Sequence, residues 1–449
     1  VLDIAEKEGI VSRGKIGLFE EVLKTLRVRA GEHIEVSLAP KPNSVLYIRQ
    51  KLDGKTLAYP ALKNIMQDIV NDKLSEIELT SYVTANYTRG MSLQETYDLT
   101  RAMTDTGQSI NFHKKQLVDL HCIGGVPGNR TTLIVVPILV AAGLFVPKTA
   151  SRAITSPAGT ADTMEVLAPV SFSQEKLQRI LNKAGGFIVW GGAMNLAPAD
   201  EKIIRVEYPL SIDAEGQMLA SIMAKKASVG ATHVLIDIPI GIGSKVPDFS
   251  NASRLRSLFS ILGSRLGMQV KVMLSDGSEP IGNGIGPCLE AKDCLRVLEG
   301  EDSPNDLRGK SLELAAILLE FTRTAKKGKG RLMAERLLNS GKAWEVMQKI
   351  IRAQGGKRST HTRIPLSHFS GEVIAPKSGI ISHVENSAIA KIARLAGAPS
   401  DKTAGVYLHA HKGNNIHRGD ILLTVYSESE EKLAFAKEFL RTTKCMLIK

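Results

Sequence analysis

The segment Leu117-Val118-Asp119-Leu120-His121 is a short strand pattern that runs into glycines (Gly124, Gly125, Gly128) and then into an apolar helix around Leu133 to Leu144. Further buried-strand runs lie at Gly186 to Trp190, Thr232 to Ile238 and Val270 to Leu274, with helical segments between them. Short apolar runs separated by helices predict a mainly parallel sheet, because each parallel connection must cross back over a sheet face and a helix does this economically. The fold class expected is α/β.

Two other textures flank this region. From Ser44 to about Met103 the apolar residues Ile65, Ile69, Val70, Leu74, Ile77 and Leu79 recur at turn spacing, and Ser92 with Glu95 resembles a capping box. A small helical domain is predicted there. From about Gly371 the chain changes to short strands and turns, at Val373 to Ile381, Gly405 to Leu408 and His417 to Leu423, which predicts a C-terminal α+β domain resembling a half-barrel. Near the start, Leu18 to Leu23 has a helical apolar pattern, Glu35 to Leu38 alternates like a strand, and Ala39 to Pro42 forms a linker. The expected division is 1–40 as the remainder of an N-terminal domain and 41–107 as the helical domain, with about 196–229 packing on it. Residues 108–195 and 230–365 then form an α/β phosphate-binding domain, and 366–449 the C-terminal domain.

Composition narrows the function classes. Hydrophobic residues make up 43% of the 449 and charged residues 23%, a globular balance. No apolar run approaches the ~18 residues of a membrane span. The formal net charge of +12 suggests an anionic ligand. Nucleic acid fits poorly: the basic residues are dispersed, aromatics are only 5%, and the densest run, Arg323 to Arg331, has no base-stacking side chain and reads as a solvated loop. Cys122, Cys288, Cys294 and Cys445 form no CxxC pair and have no zinc-type histidine spacing, so reduced thiols of a cytoplasmic protein and no metal site are expected.

Three segments carry candidate chemistry. A strand ending at His121, then Gly124-Gly125 and Gly128, then a helix, is a phosphate-binding arrangement: glycines let backbone N–H groups approach an oxyanion, and the helix start adds partial positive charge. Arg130, Thr131 and Thr132 can add a guanidinium and hydroxyls. An ordinary strand-to-helix turn is the alternative. The second segment, Thr149 to Thr160, offers Ser151, Arg152, Thr155, Ser156 and Thr160 to the same anion or to a sugar phosphate, with a capped loop as the alternative. In the third, Ser221 and Lys225 are four residues apart and share a helix face that can meet a base. Plain solvent-facing polarity is the alternative there.

These residues resemble the thymidine phosphorylase and AMP phosphorylase family of nucleoside phosphorylases, and most of all its bacterial branch named "putative thymidine phosphorylase". The resemblance runs from about Val11 to Tyr426 and rests on LVDLHCIGGVPGNRTT, KTASRAITSPAGTADTMEVLAP, IRVEYPLSID, LASIMAKKASVGATHVLIDIP and PIGNGIGPCLEAKD in the family's order. It implies a homodimeric pentosyltransferase of nucleotide salvage, with a cleft between the helical and α/β domains. The implied reaction is phosphorolysis of a pyrimidine (deoxy)nucleoside to free base and (deoxy)ribose 1-phosphate, with inorganic phosphate as co-substrate and no cofactor. AMP phosphorolysis to ribose 1,5-bisphosphate is the alternative, and an anthranilate-type phosphoribosyltransferase a distant one.

By position, the resemblance implies substrate contacts at Gly125, Ser151 to Ser156, Thr160, Ser221 and Lys245, and a proton donor at Asp213. His121, Ser221 and Lys225 match positions that face the pyrimidine in the thymidine enzymes, while Leu120, Cys122, Thr132 and Thr160 match positions that face phosphate. Those enzymes have Lys where this chain has Leu120 and Ser where it has Cys122. The missing charge is then expected from Arg130, Arg152 or Lys245. Asp213 and His121 are the candidate acids for the leaving base, and Asp213 needs burial to hold a proton at neutral pH.

Overall fold

A computed structural model describes residues 11–12, 14–37, 41–153, 156–210, 212–357 and 359–449. After helix α1 (Glu20–Leu26), the helical domain begins with α2 (Asn43–Leu52), α3 (Tyr59–Val70), α4 (Glu76–Arg89) and α5 (Leu93–Asp105). Both α4 and α5 start with reciprocal capping boxes, Ser75 with Glu78 and Ser92 with Glu95, which satisfy N–H groups that the first turn leaves open. The expected strand at Glu35 to Leu38 does not form over residues 35–37, where Val36 is 56% exposed and pairs with no strand among the described residues; Leu38 lies outside them.

The α/β domain follows with β1 (Val118–Cys122), α6 (Thr132–Ala141), β2 (Val146–Ala150), α7 (Thr160–Glu165), α8 (Gln174–Ala184) and β3 (Gly186–Trp190). The chain then passes through α9 (Pro198–Leu210) and α10 (Glu215–Ser228) before β4 (His233–Ile240), α11 (Phe249–Arg265) and β5 (Gln269–Asp276). Strands β2 and β3 pair in parallel, as do β1 with β4 and β4 with β5; a parallel bridge between Leu117 and Phe145 joins the two groups in the order β3-β2-β1-β4-β5. Period-two alternation sends Val118, Leu120 and Leu235 into a core with α6 on one face, and Leu117, Val234, Ile236 and Ile238 into a second core on the other. Helices α9 and α10 return to the helical domain: Ala199, Ile203, Ala220 and Ala224 join Ile65, Tyr82 and Leu99 in its core.

This order places β1 beside β2 on one side and β4 on the other. The carboxyl end of β1 is therefore a point where the winding of the sheet reverses, and in open α/β sheets such a point leaves a crevice for ligand.

A short strand β6 (Gly284–Ile285) precedes α12 (Pro287–Glu299), α13 (Asn305–Phe321), α14 (Gly330–Asn339) and α15 (Lys342–Ala353), which cover the sheet. The C-terminal domain contains β7 (Phe369–Ile374), β8 (Gly379–Val384), α16 (Asn386–Leu395), β9 (Gly405–Leu408), β10 (Asn415–Ile416), β11 (Ile421–Ser427), α17 (Glu430–Thr442) and β12 (Met446–Ile448). Two antiparallel sheets, β6-β9-β11-β7 and β10-β8-β12, enclose its core. Because β6 belongs to the middle of the chain, it fastens this domain to the α/β domain. Among the described residues no helix is long and apolar enough to cross a membrane.

Candidate active site

A cavity of about 500 Å³ opens at the carboxyl ends of β1 and β2, closed on its other side by α9 and α10. His121, Cys122, Gly124, Gly125, Arg130, Thr132, Ser151, Arg152, Ser156, Thr160, Asp213, Ser221, Lys225 and Lys245 line it, whereas Leu120, Gly128, Thr131 and Ala153 do not; Ile154 and Thr155 fall outside the described residues.

The glycine loop is built by close backbone approach. Gly125 has φ +90°, and a side chain there would meet the Lys245 backbone nitrogen at 2.5 Å; Gly128, at φ +73°, would meet the Ile281 carbonyl at 2.1 Å. Only glycine fits both positions. Arg130 has a different task from the one expected. It is only 8% exposed, and Nε donates to Glu290 at 2.5 Å while the other nitrogens donate to the Asn129 and Ala158 carbonyls. It clamps the glycine loop, the second loop and α12 together, with its charge spent on a buried carboxylate. Cys122 is held by Asn129 Nδ2 at 3.1 Å, and burial pushes its thiol up to about 12, so it faces the cavity as a neutral group.

Arg152 is similarly committed. Its guanidinium binds Asp162 at 3.0 Å and Glu165 at 2.8 and 2.9 Å, stacks on Trp190, and holds the Glu165 carboxyl down to about 2. Asp162 in turn accepts from the Ala153 and Gly159 backbone N–H groups, so the segment is a capped loop as well as a cavity wall. The Ser156 hydroxyl donates to the Ala158 carbonyl. Lys245, the third expected source of charge, is paired with Asp213 at 2.5 Å.

The surplus cation lies deeper, on residues that the motifs did not single out. Lys148 from β2 reaches the Leu120 carbonyl at 2.6 Å and Asp119 Oδ1 at 3.3 Å, while Lys226 from α10 reaches Asp119 Oδ2 at 2.7 Å. Both lysines line the cavity. Two buried ammoniums thus share one carboxylate. Burial pulls Lys226 down to about 7, with Asp119 opposing. His121, above them, is drawn well below the usual imidazole range by burial and then by Lys226 and Lys148. It is neutral at pH 7 and can exchange hydrogen bonds with a base, but it is not an imidazolium acid.

The helical wall has the opposite imbalance. Lys225 binds Asp200 at 2.6 Å and points at Ser221 Oγ at 3.4 Å, which places both on one face of α10. Asp213 is 41% exposed, so the burial an acid role calls for is absent. Glu207 on α9 is a third carboxyl in this wall. Gln217 Nε2 donates to its Oε1 at 2.6 Å, and burial, then Asp213 and Asp200, push it up to about 7. A glutamate in a helical pattern gave no sequence signal; Lys148 and Asp119 gave one, as charges inside apolar strands.

Family models for the helical bundle domain and the α/β domain of a glycosyl transferase family match residues 45–107 and 114–229, and the pyrimidine nucleoside phosphorylase C-terminal domain matches 380–444. The family model and the named relatives make the chain a pentosyltransferase. The "putative thymidine phosphorylase" of Legionella pneumophila (strain Paris) is 44% identical over 441 residues, 98% of this chain and 84% of its own. The AMP phosphorylase of Methanosarcina acetivorans is 46% identical over 98% of this chain and 87% of its own, and that of Methanococcoides burtonii 46% identical over 95% and 84%. The chain belongs to this thymidine phosphorylase and AMP phosphorylase family. The anthranilate phosphoribosyltransferase of Thermus thermophilus superposes with a TM-score of 0.58 at 18% identity, over 68% of this chain and 98% of its own, so it shares the fold.

Proposed function

We propose that the chain cleaves the N-glycosidic bond of a pyrimidine (deoxy)nucleoside with inorganic phosphate. One observation carries this reading: Lys148 and Lys226 share Asp119 at the foot of the glycine loop, leaving a surplus positive charge on the cavity floor. A buried surplus charge is costly unless an anion arrives to balance it. Phosphate held there attacks the anomeric carbon while the bond to the base lengthens through an oxocarbenium-like state. The base lies toward Ser221, Lys225 and His121. Positioning the anion in line, in a site shielded by α9 and α10, accounts for transfer to phosphate rather than to water.

A second reading, phosphorolysis of a nucleoside 5′-monophosphate, is favoured by an adjoining cavity of about 250 Å³ that shares Lys245 and adds Arg254. Both cations there are already paired, with Asp213 and Glu215, so a 5′-phosphate must compete for them. The test is base release from thymidine, uridine, cytidine and AMP, with and without phosphate. Phosphate-dependent release is expected. Release without phosphate, or none from any substrate, contradicts the proposal, and a preference between thymidine and AMP decides between the two readings.

A further inference from the structure

The helical wall holds three carboxyls against two ammoniums. Asp200 is matched by Lys225 and Asp213 by Lys245, and Glu207 is left without a cation among the described residues. Its one side-chain partner there is Gln217, which is itself 1% exposed and held from behind by Asn86 Nδ2 at 2.9 Å. This buried amide chain fixes Oε1. The other oxygen, Oε2, has no partner among the described residues, on a side chain that lines the substrate cavity. Steered by a buried relay at one oxygen and open to the ligand cavity at the other, Glu207 presents a fixed carboxyl that a substrate can meet.

We propose that Glu207 is the catalytic acid, which hands a proton from Oε2 to the leaving base; this rests on the phosphorolysis reading above. As the C1′–N bond breaks, its electron pair goes to the base, which takes the Glu207 proton, while a phosphate oxygen bonds to C1′. The sugar phosphate releases the proton that phosphate carried, and the Glu207 carboxylate regains one from solvent, so protons balance over the cycle. The charged groups bearing on Glu207 are Asp200 on its own helix, Asp213 in the connection to α10 and Lys245 in the loop after β4; α10 and α4 present the neutral Gln217 and Asn86. Burial, and after it the two nearby carboxylates, keeps the carboxyl partly protonated near pH 7, which suits a general acid.

The experiment compares kcat/KM of wild type and Glu207→Gln from pH 5 to 9; taking the ratio cancels the titration of phosphate itself. Gln keeps the acceptor for Gln217 but has no acidic proton. Wild type should exceed the variant by about 100-fold to 1000-fold at pH 6, within the range of general acid catalysis, and by at least about tenfold less at pH 9, where Glu207 is ionised in wild type as well. A ratio near one, or a constant ratio across pH, overturns the assignment while wild-type phosphorolysis leaves the broader reading intact. If Glu207→Gln fails to fold, Gln217→Met decides. Losing the hydrogen bond that favours the ionised carboxyl should move the alkaline fall in kcat/KM to higher pH, and an unmoved profile overturns the proposal. Wild type inactive on every substrate removes the phosphorolysis reading and this assignment with it.

Discussion

At the floor of the cleft two buried ammoniums, Lys148 and Lys226, share Asp119, whereas on the helical wall Asp200 pairs with Lys225 and Asp213 with Lys245, and Glu207 has no cation among the described residues. The floor has one basic group more than it has carboxyls, and the wall one carboxyl more than it has lysines. Phosphorolysis makes the same pair of demands: an anion has to be held and a proton has to reach the leaving base. Arg130, Arg152 and Lys245 each already face a carboxylate, so an anion has to compete for them.

The contrast can be broken from either side. Asp119→Asn should have the largest effect, because it leaves two buried ammoniums with no counter-charge; a loss of about 3–5 kcal/mol in unfolding free energy is expected by denaturant titration. Lys148→Met does the reverse. It leaves Asp119 and Lys226 as a neutral pair, so the fold should survive while the KM for phosphate rises about 100-fold, equivalent to ~2.7 kcal/mol of lost anion stabilisation. An unchanged KM for phosphate would mean that the anion lies elsewhere.

The smallest effect falls on the wall. Glu207 is raised from 4.5 to about 7 in the folded chain, so between these values the folded state binds the proton that the unfolded state has lost. Stability therefore falls as pH rises through this window, and the full penalty is present above about pH 7. Glu207→Gln removes the penalty. It should be more stable than wild type at pH 8, on the order of 2 kcal/mol, and nearly equal to it at pH 4.5. Equal melting at both pH values would show that the carboxyl is not held in this way.

Much of the fold was legible because apolar periodicity is local. The run Gly186 to Trp190 is β3 and the apolar segment after the glycines is α6. Strand β2 was missed, since Pro147 and Lys148 interrupt its apolar run, and the interrupting lysine turns out to be the floor cation. The alternation at residues 35–37 misled in the opposite way, since it has no partner strand among the described residues. At the site, the glycine loop, the hydroxyl-rich loop and the Ser221/Lys225 face all reach one cavity, as their spacing suggested. Their electrostatics could not be read. Arg130 looks available until Glu290, 160 residues away, is seen against it, and Glu207 looks ordinary until Gln217 and Asn86 are behind it.

In the proposed reaction the floor keeps its second charge for phosphate. Burial draws Lys226 down to about 7, so the empty site sheds part of that charge at pH 7.5 and a bound phosphate dianion should draw a proton back. Isothermal titration calorimetry of phosphate at pH 7.5, in buffers of different ionisation enthalpy, measures that proton directly. Wild type should take up a substantial fraction of one proton per phosphate, and Lys226→Met should bind about 100-fold more weakly with that uptake abolished. Equal affinity and equal proton uptake in the two proteins would contradict the account.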